Sequence, residues 1–213
     1  VALAAVLRPA RNIENNPMKK RTTATLILSS ALITSACGSP MKTPDIQQNP
    51  HAKMRYEITV KIDGAPGPFE SVQAIAQYAV ANDRCVPLTP GSGATIPPDK
   101  SVPIILTKTG EGTYHGEVYV DLLEDADYYG LGVCHWTMSS VSMYLQHQKL
   151  TFPPSISLAN IIAQKSETRY FNKRSYAQAD TQRVDTGNPN RADFKSEADN
   201  TFSVSMSARE NFK

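Results

Sequence analysis

Cysteine is the residue type with the most chemistry to offer in this chain, and its three positions suggest two different reactions. Cys37 closes a run of small residues, Thr34, Ser35 and Ala36, that follows the basic cluster Lys19-Lys20-Arg21 and the apolar centre Leu26-Ile27-Leu28. A thiol in that place stands at the end of a candidate export signal. Cys85 and Cys134 then remain as an even pair, and an oxidising compartment is expected to join them. Neither a CxxC nor a paired Cys/His spacing points to zinc. Asp121, Glu124, Asp125 and Asp127 offer oxygen ligands for calcium, but the spacing is not that of an EF-hand and lacks the glycine of its sharp turn. The run is read as a solvated acidic turn, and no metal or cofactor is expected. His115, His135 and His147 are scattered over expected strands, and His135, between Cys134 and Trp136, reads as a packed or hydrogen-bonded side chain. No GxSxG elbow, HExxH, P-loop or dinucleotide fingerprint occurs. No catalytic residue is therefore singled out, and a binding role is expected in place of an enzymatic one, with a periplasmic hydrolase ranked last.

The segment 18–36 has the organisation of an export signal. Its apolar stretch is too short, and too interrupted by Ser and Thr, to persist as a membrane-spanning helix. Residues 1–17 ahead of it are read as an over-long start and set aside. The end of the signal resembles a lipobox, the signature by which bacterial lipoproteins are cut before a Cys whose thiol takes a diacylglycerol. The usual Leu three positions before the Cys is Thr34 here. The resemblance implies cleavage between Ala36 and Cys37 and a lipid anchor on Cys37. Gly38 stands where inner-membrane retention would want Asp, so the implied address is the periplasmic face of the outer membrane.

Removal of the signal also changes the charge. Residues 1–36 hold Arg8, Arg11, Lys19, Lys20 and Arg21 against Glu14, so 17 basic and 19 acidic residues remain of the original 22 and 20. A net charge near −2 lacks the basic footprint that nucleic acid requires. Residues 37–53, rich in Pro, Gln and Asn, read as a flexible tether, and 54–213 as one domain.

The rest of the chain must supply a scaffold, and its periodicity is that of strands. Tyr56, Ile58, Val60 and Ile62 alternate with Glu57, Thr59 and Lys61. Asp63 to Pro68 forms a turn cluster. Phe69 to Val80 fits helix and strand templates alike, with strand favoured in its second half. A Pro- and Gly-containing loop, 86–100, precedes a strand over 102–107, a turn at Thr109 to Gly112 and a hairpin partner over 114–122. A strand over 133–146 carries a period shift at Ser139-Ser140 that predicts a bulge. Shorter pieces are expected at 150–152, 156–162 (strand, or a short helix capped by Ser155) and 169–176, then a polar loop over 178–200 and a last strand over 201–207. Many short strands with turn signals between them argue an all-β fold, an antiparallel β-sandwich with one intradomain disulfide.

Tyr128 and Tyr129 ahead of Cys134, with Trp136 behind it, resemble the tyrosine corner of immunoglobulin-like sandwiches, although the Tyr to Cys spacing is longer here. The signal, the tether, the expected disulfide and the patterns YAVANDRC and DYYGLGVCHW together resemble a group of small proteobacterial lipoproteins, similar in build to the periplasmic immunity partners of antibacterial effectors delivered by type VI or killing type IV secretion systems. That resemblance implies a protein partner, an effector such as a phospholipase or a peptidoglycan hydrolase, bound without chemistry. Tyr114, Tyr119, Tyr128, Tyr129 and Tyr144 are candidate aromatic anchors for it. A structural or assembly lipoprotein of the envelope is the alternative.

Overall fold

The computed structural model describes residues 44–212. The expected over-long start 1–17, the expected signal 18–36 and the expected acylation site Cys37 lie outside them. Among the described residues the chain forms β1 (Arg55–Asp63), β2 (Ser71–Val80), β3 (Asp99–Ile104), β4 (Thr107–Gly110), β5 (Thr113–Tyr119), β6 (Trp136–His147), β7 (Leu150–Phe152), β8 (Ser155–Ser157), α1 (Leu158–Ile162), β9 (Glu167–Asn172), α2 (Lys173–Ala177), β10 (Arg183–Val184) and β11 (Thr201–Glu210). One sheet has the order β4-β5-β1-β11-β9, the other β10-β7-β6-β2-β3 with β8 also paired to β6. The fold is an all-β sandwich. Its pairings are antiparallel except for the short parallel contact of β10 with β7.

Period-two patterning explains which sheet faces meet. Tyr56, Ile58 and Val60 of β1 and Phe202, Val204, Met206 and Ala208 of β11 are buried, while the intervening Glu, Thr and Ser side chains point away. Across the core, β2 presents Ala74, Ala76 and Tyr78 beside Met143, Val141 and Met138 of β6. Small residues on one strand leave room for larger ones on its neighbour. Toward one end an aromatic cluster fills the space, with Phe152, Phe171 and Phe202 at centroid separations of 5.2–5.3 Å. The bulge predicted at Ser139-Ser140 is present: Gln77 pairs with Ser140 and Tyr78 with Met138, leaving Ser139 as the extra residue.

Several elements depart from expectation for local reasons. The strand expected over 102–107 breaks at Ile105-Leu106, because its first part pairs with β2 and its second with β5 in the other sheet. This crossing packs on Gly116, where a Cβ would stand 2.6 Å from Ile104 Cγ2. The piece expected over 156–162 divides into β8 and α1, and the cap is Ser157, whose hydroxyl accepts Asn160 N–H, not Ser155. The strand expected over 169–176 ends at Asn172, which caps α2. Residues 45–53, expected as tether, instead lie along the β5–β6 connection. Asn49 and Glu124 N–H donate to Leu122 and Gln47 carbonyls, and the Asp121 carboxylate accepts Lys53 and Met54 N–H.

These contacts define two ends of the sandwich. At the leading end, where residues 45–53 join, β1 and β6 begin while β2, β5 and β11 finish; Tyr78 Oη donates to Tyr119 O there at 2.6 Å. At the turn end lie the β1–β2 loop, the β4–β5 turn and the β6–β7 turn.

The Cys85–Cys134 disulfide is present, with a Cα–Cα distance of 5.2 Å. It was expected to tie two strands within the core. It lies instead just beyond the end of β2 and the start of β6, neighbours in one sheet, in a small cluster with Val80 and Val86 that Tyr128, Tyr129 and Trp136 cover. An immunoglobulin disulfide crosses between sheets; this one staples loops at the leading end.

Candidate functional site

The turn end carries a preformed cleft of about 620 Å³. One wall is the loop Asp63-Gly64-Ala65-Pro66-Gly67-Pro68. Gly64 takes a positive φ of 71° to start it, and Phe69 ends it by turning into the aromatic cluster against Phe152 and Tyr176. Tyr176 Oη donates to the Pro68 carbonyl. Gly67 permits that approach, since a Cβ there would meet the Tyr176 oxygen at 2.9 Å. Glu70 fixes the far side of the loop: its carboxylate accepts Gln148 N–H at 2.9 Å and lies 3.1 Å from His147 Nδ1. The His147 ring stacks on Tyr176 at 3.7 Å. Desolvation pushes the Glu70 carboxyl upward, but the Gln148 N–H and the nearby His147 outweigh it and hold the group below its ordinary value.

The other wall is the β4–β5 hairpin, joined to β1 by Ile62 N–H donating to Gly112 O at 2.8 Å. Pro66, Phe69 and Tyr114 give the cleft apolar surface; Lys61 and Lys108, with Asp63 and Glu111, give it charge of both signs. The lining of the cleft is thus mixed, apolar and charged side by side.

The five candidate tyrosines do not form one patch. Tyr114 lines the cleft. Tyr119 is on the outer face of its sheet, in a shallower depression with Glu57, Ile105 and His115, and Tyr144 is on the outer face of the other sheet, opposite Gln73. Tyr128 and Tyr129 are at the leading end over the disulfide. Tyr128 Oη donates to Glu124 O at 2.7 Å and its ring meets Trp136 edge-on, so the contact suggested by the tyrosine-corner resemblance forms, but to a local loop.

Three of the four carboxylates of the acidic run, Asp121, Asp125 and Asp127, are taken up by loop N–H groups. Asp121 holds the leading segment, and Asp125 accepts Trp136 N–H while lying 2.7 Å from His135 Nδ1. Asp127 accepts from Tyr129, Gly130 and Leu131. Desolvation opposes ionisation of Asp127, and these backbone donors overcome it, holding its carboxyl below the usual range. Among the described residues no group of three or more His, Cys, Asp or Glu is placed to share an ion. His115 Nδ1 lies 3.2 Å from Thr59 Oγ1 and 3.3 Å from Glu57 Oε1. Both contacts fall on one ring nitrogen, whereas a nucleophile–base–acid relay uses the two nitrogens separately.

No family model, curated protein or solved structure matches this chain. Its own geometry must carry the functional reading. Lys61, Pro66, Phe69, Lys108 and Glu111 were not candidates in the sequence; Asp63 to Pro68 was legible there as a turn cluster, and Phe69 only as the start of the next segment.

Proposed function

We propose that this protein is a lipid-anchored binding module of the bacterial outer membrane, facing the periplasm, that neutralises an envelope-directed antibacterial enzyme by occupying it. The observation that carries the reading is the position of the cleft: it opens at the turn end, and the segment leading back toward Cys37 joins at the opposite end. A protein held by an acylated Cys37 would present that cleft away from the membrane. Its walls are pinned by Tyr176, Glu70 and the β4–β5 turn, so little ordering entropy would oppose association. Tyr114, Phe69 and Pro66 would pack against the partner, while the Lys and acidic side chains set orientation and exclude wrong partners. Such binding needs no chemistry from the domain, and blocking access to the partner's active centre suffices.

The test is purification of the protein from contact-stimulated cells, with wild type beside a Lys108→Glu/Glu111→Lys variant that reverses two exposed rim charges. An equimolar complex with an exported phospholipase or peptidoglycan hydrolase, inactive while bound and at least about tenfold weaker with the variant, is expected. Recovery of envelope-assembly components alone would replace the immunity reading, and recovery of no partner would remove it.

A further inference from the structure

The exposed apolar side chains are unevenly distributed. Among the described residues eight large apolar residues are exposed. Isolated examples are ordinary on any protein surface, but six of these eight share one end. Leu88 and Ile96 lie on the loop between Cys85 and the start of β3, Leu131 and Val133 on the loop entering β6, Ile162 at the end of α1, and Phe212 just past β11. Each of these segments is at the leading end: Pro98 O accepts Val80 N–H, His135 O accepts Ala81 N–H, Glu210 N–H donates to Gln164 Oε1, and the Phe212 ring meets Tyr56. Their exposures run from 45 to 67%. The two loops of the β2, β3 and β6 corner are held together by the disulfide, so the Leu88, Leu131 and Val133 side chains cannot readily withdraw into a core.

We infer that this end is a membrane-docking face: the loop tips bearing Leu88, Ile96, Leu131, Val133, Ile162 and Phe212 rest in the interface of a phospholipid bilayer. The inference rests on the anchored reading above and deepens it. The chain outside the structure argues for this occupant. The seven peptide units between Cys37 and Pro44 reach at most about 25 Å, so an acylated Cys37 would hold the leading end, and not the turn end, within reach of lipid. Charge argues for an apolar contact with neutral lipid. Arg84, Lys100 and Lys165 are outnumbered there by Asp83, Asp99, Glu124, Asp125 and Asp127, so attraction to anionic headgroups is not what seats the face. Several loop tips in the interface would also narrow the domain's tilt beyond what a single anchor sets. The cleft would then point consistently into the periplasm.

Trp136 is the single tryptophan, packed beside the disulfide at this end, and it reports on docking directly. The probe is a vesicle of neutral phosphatidylcholine and phosphatidylethanolamine carrying brominated acyl chains and a nickel-chelating lipid. The domain, whose core closes within the described residues, carries a hexahistidine in place of residues 1–37, so that tethering does not depend on acylation. Docked side chains settle about 5–10 Å into the interface, so at least about a twofold loss of Trp136 emission is expected, insensitive to salt. Leu131→Asp/Val133→Asp, which changes two exposed positions, should remain tethered and regain most of the emission. Wild-type emission equal to that on non-brominated vesicles would overturn the inference, as would equal quenching of wild type and variant, or loss of quenching at high salt. Failure of the anchored reading shows separately, as native protein in the soluble fraction of cells.

Discussion

Reducing the Cys85–Cys134 bridge removes a covalent constraint without changing any other atom. The bridge closes a loop with a sequence separation of 49, and the chain-entropy relation gives about 4 kcal/mol of stabilisation for a loop of that length. Native strain would lower that figure. Loss of the small cluster of Val80, Val86 and the two half-cystines would raise it, but the main core shares none of those residues. The reduced protein should therefore keep its fold at a lower stability. Both half-cystines are buried, so reduction has to be carried out by unfolding in reductant and refolding. Paired urea titrations should then differ by about 4 kcal/mol, and thermal midpoints by roughly 8–16 °C for a domain of this size. The oxidised form should also show the smaller denaturant slope, since its unfolded chain stays more compact. Coincident transitions, within about 0.5 kcal/mol of each other, would refute the assignment of a constraining bridge. Complete loss of β-structure on reduction would refute the placement of the cluster outside the main core.

Other perturbations read out the two ends. Gly112→Ala places a Cβ 2.5 Å from the Ile62 carbonyl at a φ of +61° and should cost well over about 1 kcal/mol, measured as a shift in urea midpoint. Tyr78→Phe removes the hydroxyl that serves Tyr119 O and should cost about 1–2 kcal/mol in the same assay. Because the Glu70 carboxyl is held below its ordinary value, its contribution to stability is present above the unfolded value of about pH 4.3 and is lost as pH falls through the lower folded value. Glu70→Gln should therefore flatten the acid limb of a plot of urea midpoint against pH, and an unchanged limb would show that the Gln148 and His147 contacts do not matter.

The scaffold was legible because its strands obey period two. Ile58, Val60, Val204 and Met206 announce their buried face by spacing alone, and the doubled serine at 139–140 announces the bulge. The disulfide was legible from cysteine parity, but its location was not, because nothing local says that the loops after β2 and before β6 meet beyond the sheet. The break at Ile105-Leu106 was hidden for a similar reason: 102–107 is one continuous strand-like run, and only the closure of the sandwich edge over Gly116 forces the change of sheet. Candidate anchors were chosen by residue type, and tyrosines placed on two outer faces and both ends show what that choice omits. The cleft depends on where Pro66, Phe69, Lys108 and Tyr114 meet in space, with nearly fifty residues between them in the chain. Tyr176, which pins the loop wall, comes from a segment that reads as a weak strand.

The most direct test of a neutralising role at the turn end is contact-dependent competition among siblings. A strain lacking this gene alone should be killed by its wild-type parent, while a strain lacking it together with the gene for the cognate effector should still be killed by the parent and should not kill the single deletion. Wild-type protein supplied in trans should restore survival, and the folded, membrane-fractionating Lys108→Glu/Glu111→Lys variant should not. Equal fitness of the single deletion against its parent would contradict neutralisation, and full protection by the charge-reversed variant would contradict the cleft as its site.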